Sequence, residues 1–88
     1  MDIIKVFGKN VKKYRKAMKM SQEKFDNKCG LHRTYISAIE CCRRSISLEN
    51  IQRIAEALEV ETYKLFLEEN EWEEIDQKDG NMQKLQDI

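Results

Sequence analysis

The spacing of the apolar residues constrains the fold of this chain more than any other feature of its sequence. In the first segment, apolar side chains recur three and four positions apart, at Ile4, Phe7, Val11, Tyr14 and Met18. A helix turns by about 100° per residue, so this spacing lines them up on one side of a helix. The 88 residues include no proline and three glycines, which disfavours a β-sandwich built on tight turns. We predict an all-α fold.

Signals at the segment ends divide the chain into five predicted helices. Ser21 can accept a hydrogen bond from the first turn of a second helix, which ends at Gly30. A third helix follows after two residues, Ser47 begins a fourth, and a fifth carries Tyr63. We expect a domain over residues 1–67 and a partly ordered acidic extension over residues 68–88. The predicted core consists of Phe7, Tyr14, Phe25, Ile36, Ile39, Leu48, Ile51 and Leu58.

Charge is distributed unevenly along the chain. Residues 1–44 hold twelve Lys and Arg against four Asp and Glu, a net charge of +8, and residues 45–88 carry −8. This asymmetry attracts a polyanion to one half of the molecule. The apolar runs are far shorter than the roughly 20 residues that span a bilayer. Residues 1–7 lack the apolar centre of a signal peptide. We expect a cytoplasmic protein without a membrane partner.

Two short helices joined by a glycine turn, within a basic bundle, are the arrangement that places one helix in the DNA major groove. Residues 8–67 resemble the helix-turn-helix domain of the lambda repressor and Cro family, also called the xenobiotic response element family, through residues 21–25, 30–31, 35–40 and 48–51. Within that family the chain is most similar to the controller proteins of restriction-modification systems, through residues 31–37 and 43–48.

The resemblance implies a five-helix bundle that binds a pseudo-palindromic double-stranded DNA operator as a homodimer and regulates transcription. RNA polymerase is a further partner if the protein is an activator. Two alternatives stay open. One is a phage-type repressor or an antitoxin-like regulator. The other is a protein-interaction adaptor that has kept the fold and lost its operator.

The start of the third helix carries the predicted base contacts. A cation in the first turn of a helix costs about 0.3 to 1 kcal/mol against the helix dipole. Arg33 occupies this position, where a guanidinium can donate two hydrogen bonds to guanine and gain about 1 to 3 kcal/mol of discrimination. Thr34, Ser37 and Ala38 share its face and either donate hydrogen bonds or allow close approach to the groove. Each of these residues is otherwise an ordinary surface residue.

The resemblance adds further residues to the DNA and dimer surfaces. It implies that Gln22 contacts a phosphate or a base, that Arg43 and Arg44 hold the DNA backbone, and that Lys24 and Lys28 assist electrostatically. The lysines of the first helix either contact phosphates or form a solvated face. The predicted dimer surface consists of Tyr63, Leu65, Phe66 and Leu67, with Trp72 as a further candidate.

Helical phase turns two charged side chains toward the core. Arg15 lies beside the apolar stripe of the first helix, and Glu40 faces inward near the C-terminus of the third. A buried charge without a partner is costly, and a pair between these helices is also recurrent in the family. We predict a structural ion pair between Arg15 and Glu40.

The cysteines and the histidine indicate neither a metal site nor catalysis. Cys29, Cys41 and Cys42 are an odd number of thiols, which we expect to be reduced, and adjacent cysteines suit a zinc site poorly. Redox control through Cys41 or Cys42 is a further alternative. His32 is predicted to cap the third helix or, when protonated, to contact a phosphate. Without a catalytic triad, paired carboxylates or a phosphate loop, we predict no cofactor and no enzymatic activity.

Three residues depart from the pattern of the family. Asp26 stands where a small apolar residue usually packs against the third helix, so it needs a lysine or a backbone N–H to satisfy it. Cys42 replaces the glycine that commonly ends the third helix, which puts the path of the following arginines in doubt. Glu61 is a poorer cap for the fifth helix than the usual Ser or Asp.

Overall fold

A computed structural model describes residues 1–68, which form four α-helices and a short 3₁₀ helix. The α-helices are α1 (Ile3–Ala17), α2 (Gln22–Cys29), α3 (Arg33–Glu40) and α4 (Leu48–Leu58), and the 3₁₀ helix covers Thr62–Phe66. This part of the chain contains no strand, so the all-α prediction is confirmed. None of the described helices has the length and apolarity needed to cross a membrane. Residues 69–88 of the predicted acidic extension, Trp72 among them, lie outside the described residues.

The helices begin and end where the sequence signals predicted. The Ser21 hydroxyl accepts a hydrogen bond from the Lys24 N–H at 3.1 Å, and Ser47 accepts one from the Asn50 N–H at 3.2 Å. Each bond satisfies a backbone donor that the first turn of a helix leaves free. Gly30 ends α2 in the left-handed conformation, with φ of 70°. A side chain is strained there, whereas glycine adopts this conformation readily.

The core lies where α1 packs against α3, α4 and the 3₁₀ helix, and where α2 packs against α3 and α4. Phe25 and Ile36 are fully buried in it, as predicted. The prediction for Leu48 was wrong, because its side chain is 84 % exposed. Leu48 is the first residue of α4 and lies beyond the edge of the bundle, whereas Ile51, one turn later, packs against the core.

Gly8 allows α1 and α3 to approach closely. A Cβ atom built at Gly8 would collide with the main-chain oxygen of Ile39 and would lie 3.0 Å from the Cys42 Sγ atom. Glycine in the middle of a helix costs about 1 kcal/mol relative to alanine. Glycine is nevertheless required here, because no larger residue fits between α1 and the end of α3.

The fifth segment, predicted as a helix, is the five-residue 3₁₀ helix Thr62–Phe66. Glu61 provides no side-chain cap, as the sequence indicated. The Asn10 amide of α1 donates to the Leu65 carbonyl at 2.8 Å and to the Leu67 carbonyl at 2.9 Å. These carbonyls are therefore satisfied without further helical turns. The segment ends at Phe66, and Leu67 is extended.

Candidate nucleic-acid interface

Helices α2 and α3 form a helix-turn-helix unit. The turn between them consists of Gly30, Leu31 and His32. The N–H groups of Gly30 and Leu31 both donate to the Asp26 carbonyl, at 2.9 and 3.3 Å, which fixes the exit from α2. The His32 Nδ1 atom accepts the Thr34 N–H at 3.1 Å, so His32 caps α3. The alternative role of His32 as a phosphate contact stays a prediction.

The N-terminal part of α3 presents the predicted base-contacting residues. Arg33 and Thr34 are exposed, and Ser37 and Ala38, one turn further on, are half-buried. The opposite side of the helix is held in the core by Ile36 and Ile39, the buried apolar residues of α3. The structure therefore brings the four predicted residues together on the outer side of a firmly packed helix.

The end of α3 directs two arginines to the same surface. Cys42 adopts the left-handed conformation, with φ of 62°, and the Arg43 N–H donates to the Ala38 carbonyl at 3.0 Å. Cys42 thus adopts the left-handed conformation that glycine commonly adopts at the end of a helix. Arg43 and Arg44 are both exposed directly after it.

Sequence reasoning missed two polar groups on this surface. The Arg44 guanidinium lies over the Tyr35 ring, 4.8 Å from its centroid, and the Asn50 amide donates to the Tyr35 hydroxyl at 3.1 Å. In the sequence, Tyr35 was noted only within residues 35–40, which carry the family resemblance. The Tyr35 hydroxyl and the Asn50 amide, in the first turn of α4, are polar groups that the sequence shows, and they could have indicated this hydrogen bond. An open cleft lies between α3, α4 and the segments before and after α3. It is lined by Leu31, His32, Thr34, Tyr35, Arg44 and Asn50.

Arg15 and Glu40 join α1 to α3 beneath this surface. The Arg15 Nε atom donates to Glu40 Oε2 at 2.7 Å, and Nη2 donates to Oε1 at 2.9 Å. Arg15 Nη1 also donates to the Met20 carbonyl at 2.9 Å. Donation of these hydrogen bonds to the Glu40 carboxylate raises the pKa of Arg15, and the side chains of Arg15 and Glu40 are 11 % and 3 % exposed. The pair is therefore well shielded from water.

Gln22, predicted to contact DNA, lies beside this ion pair. Its amide donates to Glu40 Oε1 at 3.3 Å, and the residue is half-buried at the first position of α2. The lysines of α2, Lys24 and Lys28, are exposed, and Lys28 approaches Glu59 at 3.5 Å. The exposed lysines of α1 are Lys5, Lys9, Lys12 and Lys16, and Lys19, which is also exposed, follows the end of the helix.

Asp26 is buried without the partner that its position requires. Only 6 % of the residue is exposed, and neither carboxylate oxygen has a hydrogen-bond partner among the described residues. Burial raises the pKa of Asp26, and the positive charge of Arg33 opposes that rise. The structure supplies neither the lysine nor the backbone N–H that the sequence analysis required.

The three cysteines are free thiols in different surroundings. Cys29 is buried, Cys41 is exposed and Cys42 is half-buried. Burial raises the pKa of Cys29 to about 12, so its thiol stays protonated at neutral pH. Among residues 1–68, no three His, Cys, Asp or Glu side chains are grouped so that they could hold a metal ion.

The residues predicted for the dimer surface differ in exposure. Tyr63 is 53 % exposed, whereas Leu65 is fully buried. Phe66 packs on Phe7 with 5.3 Å between the ring centroids, and both Phe66 and Leu67 are half-buried. Leu65 therefore belongs to the core of the subunit rather than to its surface.

The helix-turn-helix, with the exposed Arg33 of its second helix among basic residues, defines a DNA-binding regulator. The family described as Helix-turn-helix matches residues 11–65. The chain belongs to this family, in its Cro/C1-type branch. This is a family of DNA-binding regulators and not of enzymes.

The similar proteins include control proteins. Control protein C.BamHI of Bacillus amyloliquefaciens is 49 % identical over 57 residues, which are 64 % of this chain and 70 % of that protein. A hypothetical transcription factor of Neisseria meningitidis is 42 % identical over 66 residues, which are 75 % of this chain but only 62 % of the Neisseria protein. The expected resemblance to controller proteins is confirmed.

Solved structures of the same group share the fold. The Neisseria factor aligns with a TM-score of 0.79 and 39 % identity, over 84 % of this chain and 83 % of that one. The restriction-modification controller protein C.AhdI of Aeromonas hydrophila aligns with a TM-score of 0.69 and 36 % identity, over 72 % of this chain and 96 % of that one.

Proposed function

We propose that this protein binds a pseudo-palindromic operator as a homodimer in the cytoplasm and controls the transcription of a restriction-modification operon. The observation that carries the proposal is the exposure of Arg33 and Thr34 at the start of α3. The ion pair between Arg15 and Glu40 fixes this helix to α1. The control proteins among its relatives support the restriction-modification assignment. RNA polymerase is a further partner if the protein activates its promoter.

In this proposal the outer side of α3 enters the major groove. Arg33 donates to guanine O6 and N7, and Thr34 and Ser37 donate to neighbouring bases or phosphates. Ala38 is small enough to let the helix approach closely. Arg43 and Arg44 neutralise phosphates after the reading helix, and the lysines of α1 add longer-range attraction. The Gln22 amide, held by Glu40, lies at the start of α2, where it can reach the DNA backbone.

The dimer surface we propose is an apolar groove and its border. The groove has a volume of about 140 Å³, and Arg44 and Ser45 line it together with the apolar residues Ile3, Ile4, Phe7, Ile46, Ile51 and Phe66. Tyr63 lies one 3₁₀ turn before Phe66, and side chains three residues apart eclipse each other in a 3₁₀ helix. Leu48 lies one turn before Ile51. The exposed apolar side chains Leu48 and Tyr63 therefore extend the groove into one surface.

Selection of bound duplexes from a random pool tests sequence-specific binding. We expect an enriched motif with two related half-sites, because a symmetric dimer reads DNA symmetrically. Arg33→Ala should relax the preference at one base pair in each half-site. Arg43→Ala, which removes the same chemical group from the segment that follows α3, should weaken all duplexes alike and flatten the salt dependence. A pool without any enriched motif contradicts the proposal and favours the adaptor alternative.

Analytical ultracentrifugation tests the dimer surface. We expect a dimer at micromolar concentrations, and Leu48→Glu should shift it to monomer because a carboxylate then has to be buried in an apolar contact. Glu49→Gln, at the next exposed position, serves as the matched control and should remain dimeric. A Leu48→Glu variant that remains dimeric places the interface elsewhere.

The gene context and a promoter assay test the restriction-modification assignment. We expect genes for a restriction endonuclease and a methyltransferase beside this one, and binding of the protein upstream of its own gene. A reporter driven by that upstream region then shows whether binding activates or represses. A phage-type repressor predicts phage genes instead, and an antitoxin-like regulator predicts an adjacent toxin gene.

A further inference from the structure

The fold gives no structural reason for a carboxylate at Asp26. A buried carboxylate without hydrogen bonds costs free energy, and a small apolar residue at this position avoids that cost. Both oxygens of Asp26 are shielded from water and unpaired among residues 1–68. Ionisable groups in such unfavourable surroundings are concentrated at functional sites. Asp26 precedes the turn that leads into α3, which is the helix assigned to DNA.

Four charged groups from three helices act on this carboxylate. Arg33 of α3 and Arg15 of α1 favour its ionised form, and Arg33 does so more strongly. Glu40 of α3 and Glu23 of α2 oppose ionisation. Arg15 is already hydrogen-bonded to Glu40, so its charge is largely compensated. The cation that chiefly stabilises ionised Asp26 is therefore the residue assigned to read bases.

We propose that Asp26 sets the affinity of this surface for DNA, and that DNA binding is accompanied by the uptake of a solvent proton at Asp26. The proposal rests on the proposed function, because it requires DNA beside Arg33. When Arg33 donates to a guanine, its charge is shared with the DNA, and phosphates bring negative charge close to the buried carboxylate. Both changes disfavour the ionised form. By thermodynamic linkage, protonation of Asp26 strengthens DNA binding by the same factor.

Coulomb's law gives the scale of the effect. Two unit charges about 12 Å apart, at an effective dielectric constant of about 20, correspond to about a tenfold change in an equilibrium constant. Salt screens part of this interaction. As the pH falls from neutral at low ionic strength, we expect the Kd of the unsubstituted protein to fall by up to about tenfold more than that of Asp26→Asn.

The experiment compares a buried carboxylate with an exposed one that does not act on it. Asp26→Asn keeps the shape of the side chain and removes its charge, and Glu56→Gln makes the same change in charge at an exposed position of α4. Both variants are made in a His32→Asn background, which removes the one histidine of the sequence and retains a capping residue. Kd is measured as a function of pH for a selected duplex and for its scrambled counterpart.

As long as the protein binds DNA, the outcomes distinguish a failure of proton coupling at Asp26 from a failure of sequence-specific regulation. A flatter pH dependence for Asp26→Asn than for Glu56→Gln, on both duplexes, supports proton coupling at Asp26. Equal pH dependences overturn it, even if the protein clearly prefers the selected duplex. If no motif is selected, sequence-specific regulation fails, while the coupling is still measured on random duplex. A protein that binds no DNA overturns both.

Carbon-13 NMR of the Asp26 carboxyl group gives a second measurement that needs no substitution at Asp26. We expect the pKa of Asp26 to be higher in the complex with DNA than in the free protein. An equal pKa in the two states overturns the proposal. The comparison uses the unsubstituted protein, so a folding defect of either variant does not affect it.

Discussion

Glu40→Gln should strongly destabilise the protein, because the substitution leaves Arg15 charged and buried without its carboxylate. Breaking a buried ion pair by removing one partner typically costs about 3 to 5 kcal/mol. The geometry supports the upper part of this range, since both guanidinium bonds are shorter than 3 Å and Glu40 is 3 % exposed. Arg15 keeps its hydrogen bond to the Met20 carbonyl and can donate to the new amide oxygen, but neither group carries the negative charge that compensates the guanidinium.

The loss is a large part of the total stability. Domains are stable by about 0.05 to 0.15 kcal/mol per residue, which gives roughly 3 to 10 kcal/mol for a domain of this size. In a small domain each kcal/mol lowers Tm by about 4 to 8 °C. We therefore expect Glu40→Gln to lower Tm by at least about 12 °C and to be partly unfolded at 25 °C.

Urea denaturation followed by circular dichroism measures the effect. Glu59→Gln is the matched control, because it removes the carboxylate of the exposed Lys28–Glu59 pair. That pair spans 3.5 Å with side chains 39 % and 70 % exposed, and solvent screening limits its contribution to a few tenths of a kcal/mol, about 0.5 at most. The double variant Arg15→Met/Glu40→Leu should recover most of the stability, since apolar residues can replace a buried pair. A Glu40→Gln protein within about 1 kcal/mol of the unsubstituted one refutes this reasoning.

Three other predictions concern buried polar groups. Asp26→Ala should raise the free energy of unfolding by about 1 to 3 kcal/mol at neutral pH, because it removes two unpaired oxygens. Since the pKa of Asp26 is raised in the folded state, the folded protein binds the proton more tightly, and stability falls as the pH rises through that pKa. The gain from Asp26→Ala should therefore shrink toward acidic pH, and denaturation at two pH values checks this. Asn10→Ala should cost about 1 to 3 kcal/mol, because the Leu65 and Leu67 carbonyls lose their donor. Proteolysis should then cut near residue 67 more readily, and unchanged cleavage contradicts the assignment. A thiol reagent at neutral pH should label Cys41 first and spare Cys29 until denaturant is added, because burial raises the Cys29 pKa to about 12. Mass spectrometry identifies the labelled residue, and rapid labelling of Cys29 in the native protein contradicts the prediction.

Local signals were sufficient to predict most of the helix boundaries. Ser21 and Ser47 each satisfy a free N–H in the helix that follows, and Gly30 adopts the conformation that its position requires. These effects depend on a few neighbouring residues, so they can be read from the sequence. Helical phase likewise indicated that Arg15 and Glu40 face inward, and the structure places them in contact.

Features that depend on distant contacts could not be predicted in the same way. Leu48 matched the apolar spacing of α4, but the spacing does not tell where the edge of the bundle lies. The 3₁₀ helix ends where it does because the amide of Asn10, more than fifty residues earlier, donates to the carbonyls of Leu65 and Leu67. A signal for Asn10 existed, since it lies on the same side of α1 as Phe7 and Tyr14. No local sequence rule predicts that the buried Asp26 carboxylate lacks a hydrogen-bond partner among the described residues.

Helix α1 joins two parts of the molecule that are separate in sequence. Its Asn10 holds the segment that borders the proposed dimer groove, and its Arg15 holds the reading helix through Glu40. The two attachment points lie five residues apart, about 7.5 Å along one rigid helix. In a homodimer, the distance between the two reading helices is consequently fixed by α1. Evolution of this protein toward operators with differently spaced half-sites therefore requires changes in its first helix, which itself need not touch a single base.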